Sequence, residues 1–161
     1  MTKVIIFSDD VHMLSCSRDK SILCWDLKSQ KRISNQTLRM GGINSIALNP
    51  LDPNKYLSVG QDRNITFWDI RKSQAEGTIN SSPNPGESEE LFAVDIQSSG
   101  KLFATGGQMG VVRIYDLASG QFMTDCRAHS NAVMSIRFSP DGKQIVSTGM
   151  DGLVAIWNVF V

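Results

Sequence analysis

Residues 144–157 read QIVSTGMDGLVAIW, and the chain carries four versions of this stretch. The closing aromatic residue, Trp157, has counterparts at Trp25, Trp68 and Tyr115, and the successive intervals are 43, 47 and 42 residues. In each version the residues one and three positions before the aromatic are apolar. This alternation is typical of a strand with one buried face. A repeat with a period of about 44 residues indicates that the chain consists of similar structural units, so the structure of one unit predicts the fold.

Two polar positions recur together with the aromatic residue. A hydroxyl side chain lies ten residues before it, at Ser15, Ser58, Thr105 and Ser147. The position six residues before it belongs to a polar turn and is occupied by Asp19, Asp62, Met109 and Asp151. Glycines beside three of these turns, Gly60, Gly107 and Gly149, are expected to supply the backbone freedom of a hairpin. Each version therefore predicts a strand, a tight turn and a second strand.

Further strand candidates flank each hairpin. Apolar segments precede the hairpins at residues 3–8, 43–48, 92–97 and 132–138. More polar segments, KRISNQT, EGTINSS and QFMTDC, follow the first three aromatic residues. Inner strands that are apolar on both sides need cover on both sides, whereas a polar outer strand can face water. The sequence thus predicts an all-β fold of four antiparallel four-stranded units, the last without its outer strand.

With these motifs in register, residues 3–159 resemble the WD-repeat (WD40) family of β-propellers. The resemblance implies blades around a central channel, each packed face to face on its neighbours. It predicts a single domain over 1–161, with blades at about 3–37, 43–81, 91–126 and 132–161. Propellers of this family usually close with about seven blades, within the range of about four to eight. We therefore expect a partial propeller, or the C-terminal part of a longer one.

The last repeat combines the side-chain types of a hydrolytic triad. The resemblance implies a different role for them, a buried hydrogen-bonded tetrad formed by His129, Ser147, Asp151 and Trp157. The residues favour the tetrad, because Ser147 has counterparts in all four copies and no strained G-x-S-x-G turn surrounds it. We expect no catalytic residue in this chain. Counting back from the aromatic residue predicts Met40 at the histidine position of the second repeat and, allowing for an insertion, Glu87 in the third.

Charge and composition limit the kinds of partner. Lysine plus arginine and aspartate plus glutamate both number 16, so the formal net charge is zero. This argues against a nucleic-acid surface or an anionic membrane surface, since both select basic clusters. Three cysteines within apolar segments and two histidines favour free thiols, no metal and no cofactor. We expect an intracellular, cytoplasmic protein that binds other proteins and no small-molecule substrate.

The resemblance also predicts where partners bind. Propellers bind mainly at the end formed by the loops between blades and by the turns between the second and third strands. The residues expected there are Arg18, Gln61, Gln108 and Met150, with Asn44 and Asn131 as neighbours. Arginine, amides and methionine suit a protein surface better than a phosphate surface.

Two more specific roles remain as alternatives. Residues 68–71, WDIR, resemble the WDxR box of WD-repeat substrate receptors for cullin-type ubiquitin ligases, in which Arg71 would bind the adaptor. Several stretches also resemble WD-repeat proteins of cilia and the axoneme, which would place the chain at the cytoskeleton or cilium.

Two expectations concern the rest of the surface. The insertion SSPNPGESEE at 81–90 is predicted to be a solvated loop between the second and third blades. Four blades in an open arc would leave apolar faces in water at both ends. We therefore expect a second propeller half or another copy of the chain as a partner.

Overall fold

The computed structural model describes residues 1–84 and 86–160. In this part of the chain fifteen strands form four antiparallel sheets, and there is no helix. Three sheets have four strands and the fourth has three. Each sheet is a meander in chain order, which is the blade predicted from the repeat. The predicted fold class, all-β with antiparallel blades in an unclosed propeller, is confirmed.

The strands of the four blades have the following bounds. Blade 1 consists of β1 (Lys3–Ile6), β2 (His12–Cys16), β3 (Ser21–Asp26) and β4 (Lys31–Thr37). Blade 2 consists of β5 (Ile43–Leu48), β6 (Lys55–Gly60), β7 (Asn64–Asp69) and β8 (Gly77–Asn80). Blade 3 consists of β9 (Leu91–Ile96), β10 (Leu102–Gly107), β11 (Val111–Asp116) and β12 (Phe122–Arg127). Blade 4 consists of β13 (Val133–Phe138), β14 (Gln144–Gly149) and β15 (Val154–Asn158).

Three apolar clusters join consecutive blades. The cluster between blades 1 and 2 contains Trp68 and Tyr56, whose rings stack with centroids 6.1 Å apart. The cluster between blades 2 and 3 contains Phe103 and Tyr115, stacked at 5.0 Å. Smaller side chains around Ile145 fill the cluster between blades 3 and 4. Since a fully buried aliphatic or aromatic side chain contributes about 1.5–3 kcal/mol, these blade-to-blade contacts form the core.

Within residues 1–84 and 86–160, no blade lies against the outer face of the first or the last blade. On blade 4, Val154 and Ile156 are 67% and 65% exposed, although their counterparts in the other blades face the next blade. On blade 1, Val4 and Ile6 are 38% and 56% exposed on the opposite side of the arc. Both faces keep the apolar pattern of a blade interface.

The positive φ of the hairpin turns lies at a position that the sequence did not indicate. The residues with positive φ lie five positions before the aromatic residue: Lys20, Arg63, Gly110 and Gly152. Gly60, Gly107 and Gly149, which we expected to supply this freedom, are instead sites of close approach at strand ends. A Cβ on Gly149, for example, would lie 2.6 Å from His129 Nδ1. There the missing side chain makes room for the neighbouring segment.

The prediction of a solvated loop at 81–90 is wrong for its two ends. Ser81, Ser82 and Glu89 are buried, whereas Pro83, Asn84 and Gly86 are exposed. Pro85 lies outside the described residues. The loop folds back because Glu89 has a buried ionic partner on blade 3, which is described below.

Candidate functional site

The structure brings together the four side chains of the last repeat. His129 Nε2 lies 2.8 Å from Ser147 Oγ, which also accepts a 3.0 Å hydrogen bond from Trp157 Nε1. His129 Nδ1 lies 3.1 and 3.2 Å from the two carboxylate oxygens of Asp151. The ring nitrogen beside a carboxylate carries the proton, so Nε2 is left to accept from the serine hydroxyl. Each polar atom of the set has a partner, and three segments of the blade are joined.

The carboxylate of Asp151 is held by more than the histidine. It accepts hydrogen bonds of 2.9 Å from the Ser130 amide and 3.1 Å from the Leu153 amide. Burial acts to raise the pKa of Asp151, but the hydrogen bonds from Leu153, His129 and Ser130 outweigh it and lower the pKa. The ionised carboxylate is therefore the stable form in this turn.

Blades 1 and 2 contain part of this network. Trp25 Nε1 donates to Ser15 Oγ at 3.0 Å, and Trp68 Nε1 donates to Ser58 Oγ at 2.8 Å. The second blade has no histidine at the tetrad position. Strand register places Arg39 there and not Met40, because the loop between β5 and β6 is one residue longer than that between β13 and β14.

Blade 3 replaces the network with a buried ion pair that the sequence analysis missed. Arg113 on β11 binds the carboxylate of Glu89 and donates to the Ser81 carbonyl at 3.2 Å, and both charged side chains are buried. Glu89 also accepts from the Met109 amide, so its carboxylate stands where the turn aspartate would stand. Tyr115 donates to the Ser81 carbonyl at 3.0 Å. The hydroxyl of Thr105 is left without a partner in the described residues.

One signal could have indicated this pair. Arg113 interrupts an apolar strand, VVRIYD, in the repeat that also lacks tryptophan and the turn aspartate. A buried arginine requires a carboxylate, and three glutamates lie in the preceding insertion. The register assigns Glu87 to the histidine position, as predicted, but the functional carboxylate is that of Glu89.

The predicted partner-binding residues lie at the end of the blades that carries the β2–β3, β6–β7, β10–β11 and β14–β15 turns. Arg18 and Asn44 line a cavity of about 400 Å³ together with Thr2, Phe92 and Met134. Asn44, Phe92 and Met134 lie on the innermost strands of their blades, and Thr2 directly precedes β1. This cavity therefore lies at the loop end of the innermost strands of the arc.

Two of the predicted residues are tied into the scaffold. Asn44 donates to Glu90 Oε1 and to the Leu91 carbonyl, both at 2.9 Å, and thereby links blade 2 to blade 3. Gln61 accepts from the Gly42 amide at 2.9 Å. These amides position the loops and have little freedom to bind a partner.

The remaining members have fewer contacts with the scaffold. Arg18, Gln108, Met150 and Asn131 are exposed. Among these, Asn131 accepts only from the amide of the next residue, Ala132, at 2.8 Å. Loop-end contacts with a partner would have to come mainly from these side chains.

Arg71 is already occupied by its own chain. Its Nε and Nη2 donate to the two carboxylate oxygens of Asp69 at 2.8 and 2.5 Å. The hydrogen bonds from Arg71 hold the pKa of Asp69 below its usual range. The Arg71 side chain nevertheless stays 60% exposed, so the adaptor role remains a prediction.

Residues 1–84 and 86–160 contain no helix long and apolar enough to cross a membrane. The same part of the chain contains no group of three or more histidine, cysteine, aspartate or glutamate side chains placed to hold a metal ion.

Comparisons with known proteins agree with this architecture. The model of the family described as WD domain, G-beta repeat, matches residues 2–26 and 120–158. The chain is 28% identical over 148 residues to the WD repeat-containing protein 91 homolog of Dictyostelium discoideum, which covers 88% of this chain and 18% of that protein.

Two other relatives have similar identity. The Cilia- and flagella-associated protein 52 of Chlamydomonas reinhardtii is 28% identical over 90% of this chain and 23% of its own length. The Autophagy-related protein 16 of Arabidopsis thaliana is 25% identical over 94% of this chain and 28% of its own length. The chain thus spans about a fifth to somewhat over a quarter of the length of the curated relatives that it matches.

Proposed function

Because this chain is made of WD repeats, we propose that it is a non-enzymatic scaffold that binds other proteins through the loop end of its blades. The observation that carries the proposal is the cavity of about 400 Å³ at the loop end of the innermost strands, which Arg18, Phe92 and Met134 line. A cationic rim around aromatic and thioether side chains is typical of protein interfaces. Blades held by three apolar clusters keep these loops in place, which limits the entropy lost on binding.

The geometry of the last blade supports a scaffold over a hydrolase. A nucleophilic serine has to be accessible to substrate and to lie beside an oxyanion site. Ser147 is fully buried, and its oxygen already accepts the indole hydrogen bond of Trp157. The His129 side chain is buried as well. These contacts are typical of a structural hydrogen-bond network that holds the blade together.

Introduction of negative charge at the loop end tests the proposal. We expect Arg18→Glu and Met150→Glu to lower the yield of proteins captured by the tagged chain by about tenfold, which corresponds to roughly 1.4 kcal/mol of binding energy. Lys143→Glu is the matched control, because Lys143 is exposed in a turn at the opposite end of blade 4. Quantitative mass spectrometry of the captured proteins provides the measurement. Loss of partners in the control, with retention in the two variants, would place binding at the other end.

A ciliary location is a second candidate. It is supported by the relatives named Cilia- and flagella-associated protein 52 and by the resemblance of the repeats to axonemal proteins. The buried, unpaired thiols of Cys16 and Cys24 suit the reducing interior of a cell. Imaging of the tagged chain in ciliated cells tests this location. Uniform cytoplasmic signal, with none enriched along the axoneme, would leave the cytoplasm as its place.

A further inference from the structure

The space beside the third strand is filled differently in three blades. The residue two positions before the aromatic points into this space, and it is Thr66 in blade 2, Arg113 in blade 3 and Ala155 in blade 4. In blade 4 the imidazole of His129 reaches the turn aspartate in this region. In blade 3 the guanidinium of Arg113 binds Glu89. Both blades therefore place a planar nitrogen donor against a carboxylate.

Blade 2 has the carboxylate without the donor. A cavity of about 540 Å³ lies between the connection at 37–40 and strands β7 and β8, and Asp62, Thr66 and Trp68 are part of its lining. Thr66 is 1% exposed, and its Oγ1 has no hydrogen-bond partner in the described residues. A buried hydroxyl without a partner costs about as much as a lost hydrogen bond. The unpartnered hydroxyl of Thr66 therefore points to a missing ligand.

The carboxylate in this cavity is weakly satisfied. Asp62 accepts only long hydrogen bonds from Asn64, 3.3 Å from its amide and 3.5 Å from its side chain. Burial raises the pKa of Asp62, whereas the pKa values of Asp19 and Asp151 at the same turn position are lowered. No ion pair involves Asp62 among the residues that the structure describes, although the exposed Arg39 lines the same cavity. Asp151 at the same position of blade 4 has His129 and two backbone amides as donors, whereas Asp62 has Asn64.

We propose that this cavity binds an arginine side chain presented by a partner protein. The guanidinium would donate to the carboxylate of Asp62 and to the hydroxyl of Thr66, and the methylene stem would pack on Trp68. Blade 3 supplies the precedent, since it holds an arginine against a carboxylate at the equivalent position. Arginine suits this site because its planar donors satisfy a carboxylate and a second acceptor at once. The inference deepens the proposed scaffold function, yet it is tested without any cellular partner.

Titration with a short capped peptide tests the site directly. The probe is acetyl-Gly-Arg-Gly-amide, and the control peptide carries citrulline, which has the same shape without the charge. The measurement is the shift of the Trp68 indole signal in ¹⁵N-correlated NMR, assigned with Trp68→Phe. We expect a saturable shift in the millimolar range with the arginine peptide and none with citrulline. Absence of a saturable shift would overturn the proposal while leaving the loop-end function intact.

Three variants locate the bound peptide. Asp62→Asn is expected to weaken binding at least about tenfold, because the charge-assisted hydrogen bonds are lost. Thr66→Val is expected to weaken it a few-fold, since one acceptor is removed. Asp19→Asn is the matched control, because Asp19 occupies the same turn position in blade 1 but lines none of this cavity. Equal affinities for Asp62→Asn and the unchanged chain would place the peptide elsewhere.

The variant Arg39→Ala distinguishes an external arginine from the chain's own. If Arg39 leaves the cavity free for a partner, this variant binds the peptide at least as well as the unchanged chain and has the same melting temperature. If Arg39 fills the cavity in solution, the variant melts earlier and binds the peptide more tightly. Earlier melting would overturn the assignment to a partner protein.

Discussion

A buried serine accepts the indole hydrogen bond of the third strand in three blades, and its surroundings decide what this bond contributes. Ser147 also pairs with His129, and its blade completes the network with Asp151. Ser58 and Ser15 have the tryptophan bond without a histidine. The same residue type therefore has different energetic weight at three equivalent positions.

Replacement of these serines by alanine measures that weight. We expect Ser147→Ala to lower the free energy of unfolding by about 1–3 kcal/mol, because Trp157 Nε1 and His129 Nε2 both lose a buried partner. Ser15→Ala should cost about 0.5–1.5 kcal/mol, since only the half-buried Trp25 is affected. Urea unfolding followed by tryptophan fluorescence gives both values. Equal costs would mean that the histidine adds nothing to the blade.

Two turn aspartates predict opposite responses to pH. The folded-state pKa of Asp62 is raised above 3.8 by burial, so its ionised form destabilises the fold at neutral pH. Asp62→Asn should then stabilise the chain at pH 7, and the difference should shrink as the pH falls towards 3.8. The pKa of Asp151 is lowered, so Asp151→Asn should destabilise the chain at pH 7 and lose its effect only below 3.8.

Melting temperatures between pH 7 and about pH 2, measured by circular dichroism, check both responses. Asp19→Asn is a useful companion, because the pKa of Asp19 is lowered mainly by the Ser21 hydroxyl and backbone amide in an exposed turn. A destabilising effect of Asp62→Asn at pH 7 would show that its carboxylate already has a cationic partner in solution.

At the scale of elements, the connection between blades 2 and 3 behaves as part of blade 3. Glu89 lies at its end, accepts from the Met109 amide in the β10–β11 turn and binds Arg113 on β11. The Ser81 carbonyl at its beginning accepts from Arg113 and Tyr115. The loop therefore supplies the stabilising contacts of blade 3. In blade 4 the corresponding contacts come from a histidine, an aspartate and a tryptophan, which blade 3 lacks.

Removal of one partner of this ion pair should be costly. We expect Glu89→Ala to lower the free energy of unfolding by about 3–5 kcal/mol, because Arg113 is left as an uncompensated buried charge. The double variant Glu89→Gln and Arg113→Met should be less destabilised than Glu89→Ala. Guanidinium unfolding of the unchanged chain, Glu89→Gln, Arg113→Met and the double variant measures the coupling. Additive effects in the double variant would contradict a direct pair.

For the whole molecule, the exposed faces of the first and last blades predict association. Val154 and Ile156 on one face, and Val4 and Ile6 on the other, keep the positions that are buried between blades elsewhere. The two faces have the chemistry of the two sides of one blade interface. Two copies could then join end to end, which would give eight blades and stay within the range of about four to eight seen in propellers.

Light scattering coupled to size-exclusion chromatography tests this prediction. We expect the 161-residue chain to elute above its monomer mass of 17.7 kDa, and Val154→Thr with Ile156→Lys to shift it towards the monomer. Met40→Lys is the control, because Met40 is an exposed apolar residue outside both end faces. A folded monomer at micromolar concentration, without the substitutions, would contradict the prediction.

The sequence by itself determined the blades. The same alternation of apolar strand residues repeats four times, and each hairpin has its own local turn residues. The resemblance to the WD-repeat family also implied His129, Ser147, Asp151 and Trp157 as a set, which is complete in the last repeat alone. The tertiary structure decided what fills the equivalent space in the other blades. A one-residue difference between loops placed Arg39 where counting placed Met40.

Tertiary contacts also selected Glu89 among the three glutamates of the insertion, through the buried Arg113 on a strand of another segment. They left the blade 2 cavity with Asp62 and Thr66 on its wall. Local patterns report what a strand buries, but they do not report which distant side chain arrives to satisfy a buried charge. That pairing depends on how segments far apart in the chain meet, and so only the folded molecule specifies it.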